Sequence, residues 1–237
     1  MTLPDWQLVC SGPSASRWPI SPRAKVATVN GAIGLLEDRE PDAYGVFEAN
    51  AGKSYRPIIK KARRSATQLY LKPASLCMSG QIEHRKSINM IDRHWGPKEL
   101  LYLHRDVQWK AEDPAVPEFG QSVAWITSGV LMAWILAEVY QPERIYLSGL
   151  DLYPEDSKDE DYATGITKVF DLDTQSDWRE RRRQLNKRAL EGLRAVTNHY
   201  RGTDFIWLEE PNFPLSDIGA RIADPEDLRR LYMGAEQ

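Results

Sequence analysis

The chain has 237 residues, of which 42% are hydrophobic, and its formal net charge is −3. This length is sufficient for one large domain with a full-sized hydrophobic core. The small acidic excess argues against a protein that coats nucleic acid over its whole surface. Its only cysteines, Cys10 and Cys77, are far apart in sequence, which favours a reducing compartment over a disulfide framework.

The sequence shows neither a signal peptide nor a membrane span. Its first residues, MTLPDWQL, lack a basic segment followed by an apolar one. The most apolar stretch, residues 126–140, is shorter than the ~20 residues that a span needs, and it contains Glu138. We therefore expect a cytoplasmic protein.

The first half of the chain alternates β-rich segments with turns and helices. We predict strands at residues 6–10, 25–29, 43–47, 68–72 and 99–103. A short helical piece is expected from Asn30 to Leu36, and further helices are expected at 55–65 and 83–92. A turn sequence, Ser-Gly-Pro-Ser at residues 11–14, ends the first strand abruptly.

The most informative stretch lies at residues 125–153, WITSGVLMAWILAEVYQPERIYLSGLDLY. Residues 130–139 are apolar on all sides and predict a helix buried in the core, with Thr127 or Ser128 as its N-cap. Gly129 would let a ligand approach the free N–H groups of the helix start, where phosphate binds well. Residues 144–148 predict an interior strand, after which Asp151 and Tyr153 follow at its carboxyl end.

The remainder contains a polar segment and two helices. Residues 154–177 are rich in acidic side chains and predict a mobile lid. A long basic helix is expected at 178–200, a strand at 205–208 and a tail helix at 224–233, with Pro225 in its first turn. This alternation predicts one α/β domain over 1–237: a Rossmann-like, doubly wound, mainly parallel sheet with helices on both faces.

Three sets of residues carry a resemblance to a known family. They are CSGPS at residues 10–14, Asn30 after the second strand, and the strings ITSGV (126–130) and IYLSGLDLY (145–153). In order and spacing they resemble the bacterial sialyltransferases that build sialylated lipooligosaccharides. The same framework, with Pro41-Asp42, also resembles the related motility-accessory and pterin-pyrophosphokinase-like domains.

This resemblance implies a metal-independent glycosyltransferase whose donor is a nucleotide sugar, CMP-linked, and whose acceptor is a glycan or another hydroxyl. No cofactor beyond the donor is implied. The nucleotide-binding candidates are Ser11, Gly12, Pro13, Ser14, Asn30, Thr127, Ser128, Gly129, Ser148, Gly149 and Asp151. Tyr153 matches the first of two family tyrosines that hold the leaving phosphate, and Tyr162 is the candidate for the second. Phenol O–H groups can stabilise charge on that oxygen without a metal ion.

Three departures separate the chain from this family. Ser11 stands where the family has asparagine, Trp125 stands where it has arginine, and no histidine precedes the helix that contains residues 189–191. Without that imidazole the general base must come from elsewhere. We take His104, at the end of a predicted strand, as the candidate base.

Two alternative functions remain open from the sequence. Diphosphate transfer from ATP to a pterin-like alcohol would use Mg²⁺ held by Asp151, or by Asp171 and Asp173 in the D-x-D of the acidic segment. A non-catalytic member of the fold would bind a glycan or nucleic acid through the basic run RERRRQLNKR, from Arg179 to Arg188. Solvated charge is the simpler interpretation of both patterns. A homo-oligomer is compatible with either function.

Overall fold

The computed structural model describes residues 3–46, 68–71, 100–102, 127–153, 163–164, 166 and 178–233. These residues form an open sheet of eight strands in which every pair of neighbours is parallel. The strands are β1 (Trp6–Val9), β2 (Lys25–Val29), β3 (Ala43–Val46), β4 (Gln68–Leu71), β5 (Leu100–Tyr102), β6 (Arg144–Ser148), β7 (Asp204–Trp207) and β8 (Arg221–Ile222).

The strand order is β5-β4-β3-β2-β1-β6-β7-β8. The chain builds outward from β1 to β5 on one side and then returns to the other side of β1 to add β6, β7 and β8. The predicted doubly wound, Rossmann-like α/β fold is confirmed. Its topological switch point lies between β1 and β6, where Leu8 pairs with Leu147 in register. In sheets of this kind, ligands bind outside the carboxyl ends of the strands at that point.

In the described part of the chain, three α-helices pack on the two faces of the sheet. They are α1 (Ser128–Ile135), α2 (Trp178–His199) and α3 (Pro225–Tyr232). α1 and α2 pack in the main core with one set of strand side chains, including Ile145 and Leu147. The alternate residue, Tyr146, packs with α3 on the opposite face. Strand side chains alternate between faces, so each face receives its own apolar layer.

α1 is the buried helix that the sequence predicts. Every residue from 129 to 137 is buried, and the helix continues as a π turn at Leu136–Tyr140 before Pro142. Its surface end is marked by Val139, which is 51% exposed. An apolar run with no polar side therefore lies inside the core, as expected for a helix covered all round.

α2 and α3 confirm the two helices predicted after residue 177. α2 turns Ala189, Leu193 and Val196 into the core, three positions that share one helical face. α3 begins at the N-cap Asp224 with Pro225 in its first turn, and Asp227 completes a reciprocal capping box. The start of α3 is therefore fixed by its own side chains.

Several short elements were not predicted, and several predictions lie outside the described residues. The 3₁₀ helices at Pro13–Arg17 and Leu215–Ile218 and the strand β8 were missed. The predicted helices at 55–65 and 83–92, and all of the lid segment except residues 163, 164 and 166, lie outside the described part. No helix within the described part is long and apolar enough to cross a membrane.

Candidate active-site cleft

A cleft opens where β1 and β6 end, at the switch point of the sheet. It holds about 100 Å³ of space, less than the ~300–1,000 Å³ of a site that engulfs a drug-sized ligand. The described residues therefore form a seat for part of a ligand, of phosphate or sugar size. The lining residues are Cys10, Ser11, Gly12, Val29, Asn30, Thr127, Ser128, Gly129, Gly149, Leu150, Asp151, Leu152, Tyr153, Asn186, Ala189 and Leu193.

The floor of the cleft depends on two glycines that bring the chain segments after β1 and β6 together. The Gly12 N–H donates to the Gly149 carbonyl at 2.8 Å. A Cβ on Gly12 would lie 2.5 Å from Asp151 Oδ2, and a Cβ on Gly149 would lie 2.5 Å from the Cys10 carbonyl oxygen. Gly149 also has a positive φ of 69°, which disfavours any other residue. Both positions therefore require glycine.

Ser14 and Asp151 fasten these two segments behind the cleft. The Ser14 N–H donates to Asp151 Oδ2 at 2.9 Å, and the Ser14 hydroxyl donates to Oδ1 at 3.0 Å. The same hydroxyl accepts from the Gly149 N–H at 2.8 Å. Both oxygens of Asp151 are thus engaged by Ser14. We assign this pair, the Ser14–Asp151 clasp, the role of holding the cleft in shape.

Asn30 lines the cleft and holds the hydroxyl of Ser128 through a hydrogen bond. It is 4% exposed and has a left-handed backbone with φ of 43°, a conformation that asparagine tolerates better than most residues. Its Nδ2 donates to the Ser128 hydroxyl oxygen at 2.7 Å, and Tyr44 donates to its carbonyl at 2.9 Å. The Ser128 oxygen accepts from Asn30, and a hydroxyl that accepts one hydrogen bond can still donate its own proton.

The start of α1 differs from the prediction in its capping. Thr127 is the N-cap residue, but its side chain accepts no capping hydrogen bond, and Ser128 is instead bonded to Asn30. The predicted side-chain cap is therefore wrong. Thr127 Oγ1 is buried and makes no hydrogen bond within the described part of the chain. The first N–H groups of an α-helix lack partners within the helix, so this end is suited to an anion.

Gly129 serves packing as well as the cleft wall. A Cβ there would lie 2.5 Å from Leu150 Cδ1 and 2.8 Å from Cys10 Sγ. We predicted this glycine for the approach of a ligand, and the structure adds a second reason. The helix start must press against the ends of β1 and β6.

Tyr153 is held in the cleft wall by α2. Asn186 accepts from the Tyr153 N–H and donates to its carbonyl, both at 2.9 Å. The guanidinium carbon of Arg182 lies 5.9 Å from the centre of the Tyr153 ring. Sequence reasoning missed both partners because they lie within the basic run of α2. The i, i+4 spacing of Arg182 and Asn186, which places them on one helix face, was the available signal.

Cys10 lines the cleft but is unsuited to nucleophilic chemistry at neutral pH. Burial, assisted by the nearby charge of Asp151, raises the pKa of its thiol well above the ordinary value. The thiolate is the nucleophilic form of cysteine. Cys10 therefore contributes shape and apolar surface to the cleft.

The other predicted site residues either do not line the cleft or lie outside the described residues. Pro13 lies in the 3₁₀ helix after β1, and Ser148 is buried in β6 beneath the cleft, so neither lines it. His104, Tyr162, Asp171 and Asp173 lie outside the described residues. Ala163, the residue after Tyr162, donates its N–H to the Ser11 carbonyl at 2.9 Å. Among described residues, no group of three or more His, Cys, Asp or Glu could hold a metal ion.

The basic run of α2 is mostly solvated. Arg179, Arg183 and Lys187 are exposed, and Glu180 pairs with Arg183 at 3.9 Å, as the simpler interpretation of this run predicts. Arg182 departs from that pattern because it is fully buried. Among the arginines of the run whose side chains the structure describes, Arg182 is the buried one.

A larger cavity of about 860 Å³ lies beside the 3₁₀ helix after β1. Three of its polar lining groups are already bonded to the protein. Arg17 and Trp18 contact Glu209, and Arg39 donates to the Ala24 carbonyl at 2.8 Å. The candidate site is therefore the smaller cleft, which lies at the switch point of the sheet and is lined by the start of α1.

A solved structure supports the α/β fold class of the protein. No family model matches the chain, and no curated protein matches it in sequence. Among solved structures, the chain is similar to the sialyltransferase CstII from Campylobacter jejuni, in complex with a substrate analogue, cytidine-5′-monophosphate. The TM-score is 0.50 and the identity 14%, over 91% of this chain and 84% of that one. The similarity shows that the two chains share an α/β fold.

Proposed function

We propose that the protein is a glycosyltransferase that transfers a sugar from a nucleotide donor, CMP-activated, to a hydroxyl acceptor such as a glycan. One observation carries the proposal. The start of α1, without a side-chain cap, opens into the switch-point cleft beside the hydroxyls of Thr127 and Ser128. Backbone N–H groups, a helix dipole and two hydroxyls together form a seat for a phosphate.

The chemistry needs charge stabilisation at the leaving phosphate. As the bond between sugar and phosphate breaks, negative charge grows on the phosphate oxygens. The Ser128 O–H and the first N–H groups of α1 would donate to one side of this group. Tyr153, in the same cleft wall, would donate its phenol O–H to the other. Donors that are already in place need little rearrangement during the reaction.

Tyr162 is the proposed second phenol at the leaving phosphate. Its support is the hydrogen bond from the next residue, Ala163, to Ser11, which brings the chain beside the cleft. His104 is the proposed base that removes the proton of the acceptor hydroxyl. Asp151 is proposed to act through the clasp with Ser14, because that serine engages both its oxygens.

Calorimetric titration with CMP and with ATP plus Mg²⁺ tests the donor class. We expect CMP to bind in the micromolar to millimolar range. Ser128→Ala and Tyr153→Phe should each weaken it roughly tenfold, the value of one hydrogen bond to a charged group. Ser16→Ala is the matched control, because the Ser16 hydroxyl is exposed and its partner among the described residues is the nearby Pro13 carbonyl.

The outcomes separate the competing functions. CMP binding that both cleft variants weaken, with CMP-sugar hydrolysis lost in Tyr153→Phe, supports the glycosyltransferase. A clear preference for ATP would favour diphosphate transfer. Failure of both nucleotides to bind at millimolar concentration would contradict the proposal. A glycan or nucleic acid bound through the exposed face of α2 would then favour the non-catalytic alternative.

A further inference from the structure

Arg182 is the one residue of the basic run in α2 whose side chain the structure places wholly inside the protein, among those it describes. It is 0% exposed, whereas its neighbour Arg183 lies on the surface beside Glu180. Burying a guanidinium is unfavourable unless the group makes specific contacts. Solvated surface charge therefore does not explain why Arg182 is buried.

The contact that relates Arg182 to the cleft is the ring of Tyr153. The guanidinium carbon lies 5.9 Å from the ring centre, at the limit of about 6 Å for a cation–π interaction. One turn later, Asn186 holds the backbone of Tyr153 through two hydrogen bonds of 2.9 Å. A single face of α2 thus contacts both the main chain and the ring of this tyrosine.

Tyr153 needs such support because of its position. It follows β6 by five residues and lies outside any helix or strand. Its ring is only partly buried and lines the cleft. A phenol on a loop loses precision as a hydrogen-bond donor unless neighbouring groups fix its orientation. Arginine suits this task because its flat guanidinium stacks on an aromatic face and stays charged at all ordinary pH values.

We propose that Arg182 is a positioning residue that orients the Tyr153 phenol toward the phosphate of the ligand. This inference rests on the proposed function. It adds how the protein orients the Tyr153 O–H that donates a hydrogen bond to the phosphate. The guanidinium of Arg182 has hydrogen-bond donors and no acceptor, so its role differs from that of a base. Its positive charge over the ring also polarises the phenol, so that the O–H becomes a stronger donor.

A double-mutant cycle measures the dependence on Tyr153. Arg182→Met is expected to weaken CMP binding roughly tenfold in the wild-type background and to have no further effect in Tyr153→Phe. The reason is that phenylalanine keeps the ring but has no hydroxyl to orient. Arg183→Met is the matched control, the same exchange one residue along on the surface, and should leave CMP affinity unchanged.

A measurement without ligand separates this proposal from the nucleotide-binding one. With 3-fluorotyrosine at position 153, Arg182→Met should shift and broaden the fluorine NMR signal, and Arg183→Met should not. If wild-type protein fails to bind CMP and this shift is present, the proposed function falls and the positioning of Tyr153 stands. If the fluorine signal is the same in both variants, the positioning role is wrong.

Arg182→Lys provides a second variant should Arg182→Met not fold. Lysine keeps the charge but lacks the flat group, so it should restore folding while CMP affinity recovers only in part. Equal losses of CMP affinity in the wild-type and Tyr153→Phe backgrounds would overturn the proposal. They would show that Arg182 acts on the cleft by a route other than the phenol.

Discussion

The cleft between β1 and β6 and the corner where β7, β8 and α3 meet are built on opposite principles. At the corner, Arg221 bonds Asp204 and Asp227, and Asp224 and Asp227 cap α3, so charged groups satisfy one another. In the cleft, the side chain of the N-cap residue Thr127 makes no capping hydrogen bond within the described residues, and Asn30 has a left-handed backbone. Strained backbone and unpaired polar groups are typical of sites that await a ligand.

The difference separates residues that stabilise the fold from residues that prepare a site. Substitutions at the corner should lower the stability of the fold and leave ligand binding at the cleft unchanged. The cleft contains both kinds of residue side by side. The glycines and the Ser14–Asp151 clasp hold its shape, while Ser128 and the start of α1 line the opening. Substitutions at the corner and at the residues that hold the cleft in shape should therefore lower the free energy of unfolding. Substitutions at the residues that line the opening should instead lower ligand affinity.

The largest expected effect is at Gly149. Gly149→Ala adds a Cβ 2.5 Å from the Cys10 carbonyl oxygen and imposes a side chain on a φ of 69°, so we expect about 3 kcal/mol or more of lost stability. Gly219→Ala, near the corner, has φ of 66° with open space and should lose only ~1 kcal/mol. Gly202→Ala, with neither problem, is the control for urea unfolding.

Equal stability losses at Gly149 and Gly219 would contradict this ranking. They would mean that backbone strain alone matters and that the close approach of the segments after β1 and β6 does not.

The next effect is at the corner. Asp227→Asn removes the charge that bonds Arg221 and weakens the capping box of α3, and Asp227 is only 5% exposed. We expect roughly 2 kcal/mol of lost stability by urea unfolding, with CMP affinity unchanged. Glu226→Gln, in the same helical turn, should change stability by less than ~0.5 kcal/mol. A large loss of CMP affinity in Asp227→Asn would show that the two regions are coupled.

Acid pH should reproduce part of that loss in the wild-type protein. Burial acts to raise the pKa of Asp227, but the hydrogen bonds from Arg221 and the Asp224 backbone outweigh it and lower the pKa below its usual value. A carboxyl with a lowered pKa in the folded state stabilises above about pH 4 and loses that contribution as pH falls through the folded pKa. Urea midpoints of wild type and Asp227→Asn should therefore converge below pH 4.

The smallest effect should have the opposite sign. Thr127→Val replaces a buried hydroxyl, which makes no hydrogen bond within the described residues, by a methyl group of the same shape. We expect stability to rise by up to about 0.5 kcal/mol while CMP affinity falls. Thr28→Val is the contrast, because the Thr28 hydroxyl donates to the Val9 carbonyl at 3.0 Å, and it should lose about 1 kcal/mol. Lower stability in Thr127→Val would show that its hydroxyl has a structural role.

Local patterns predicted the elements that are long or strongly apolar. The run from residue 130 predicted α1, and β-rich segments predicted β1, β2 and β6 because these strands are interior and buried. The two residues of β8 are too few to show any period, so no pattern predicts them.

Contacts between distant parts of the chain could not be predicted in the same way. Asp151 meets Ser14 only after the sheet brings β6 beside β1. The capping prediction for α1 failed for a similar reason, since Asn30, which directly follows β2, donates to the Ser128 hydroxyl. A cap is a local pattern, and a partner remote in sequence changed it.

The position of β1 at the centre of the sheet has a consequence for how the molecule is made. Trp6 pairs with Lys25 on one side and with Ile145 on the other. At a synthesis rate of roughly 5–20 residues per second, the first neighbour emerges within seconds and the second on the order of ten seconds later. During that interval β1 lacks the neighbour that pairs with its second edge. Closure of the fold, and of the cleft with it, therefore waits for the second half of translation.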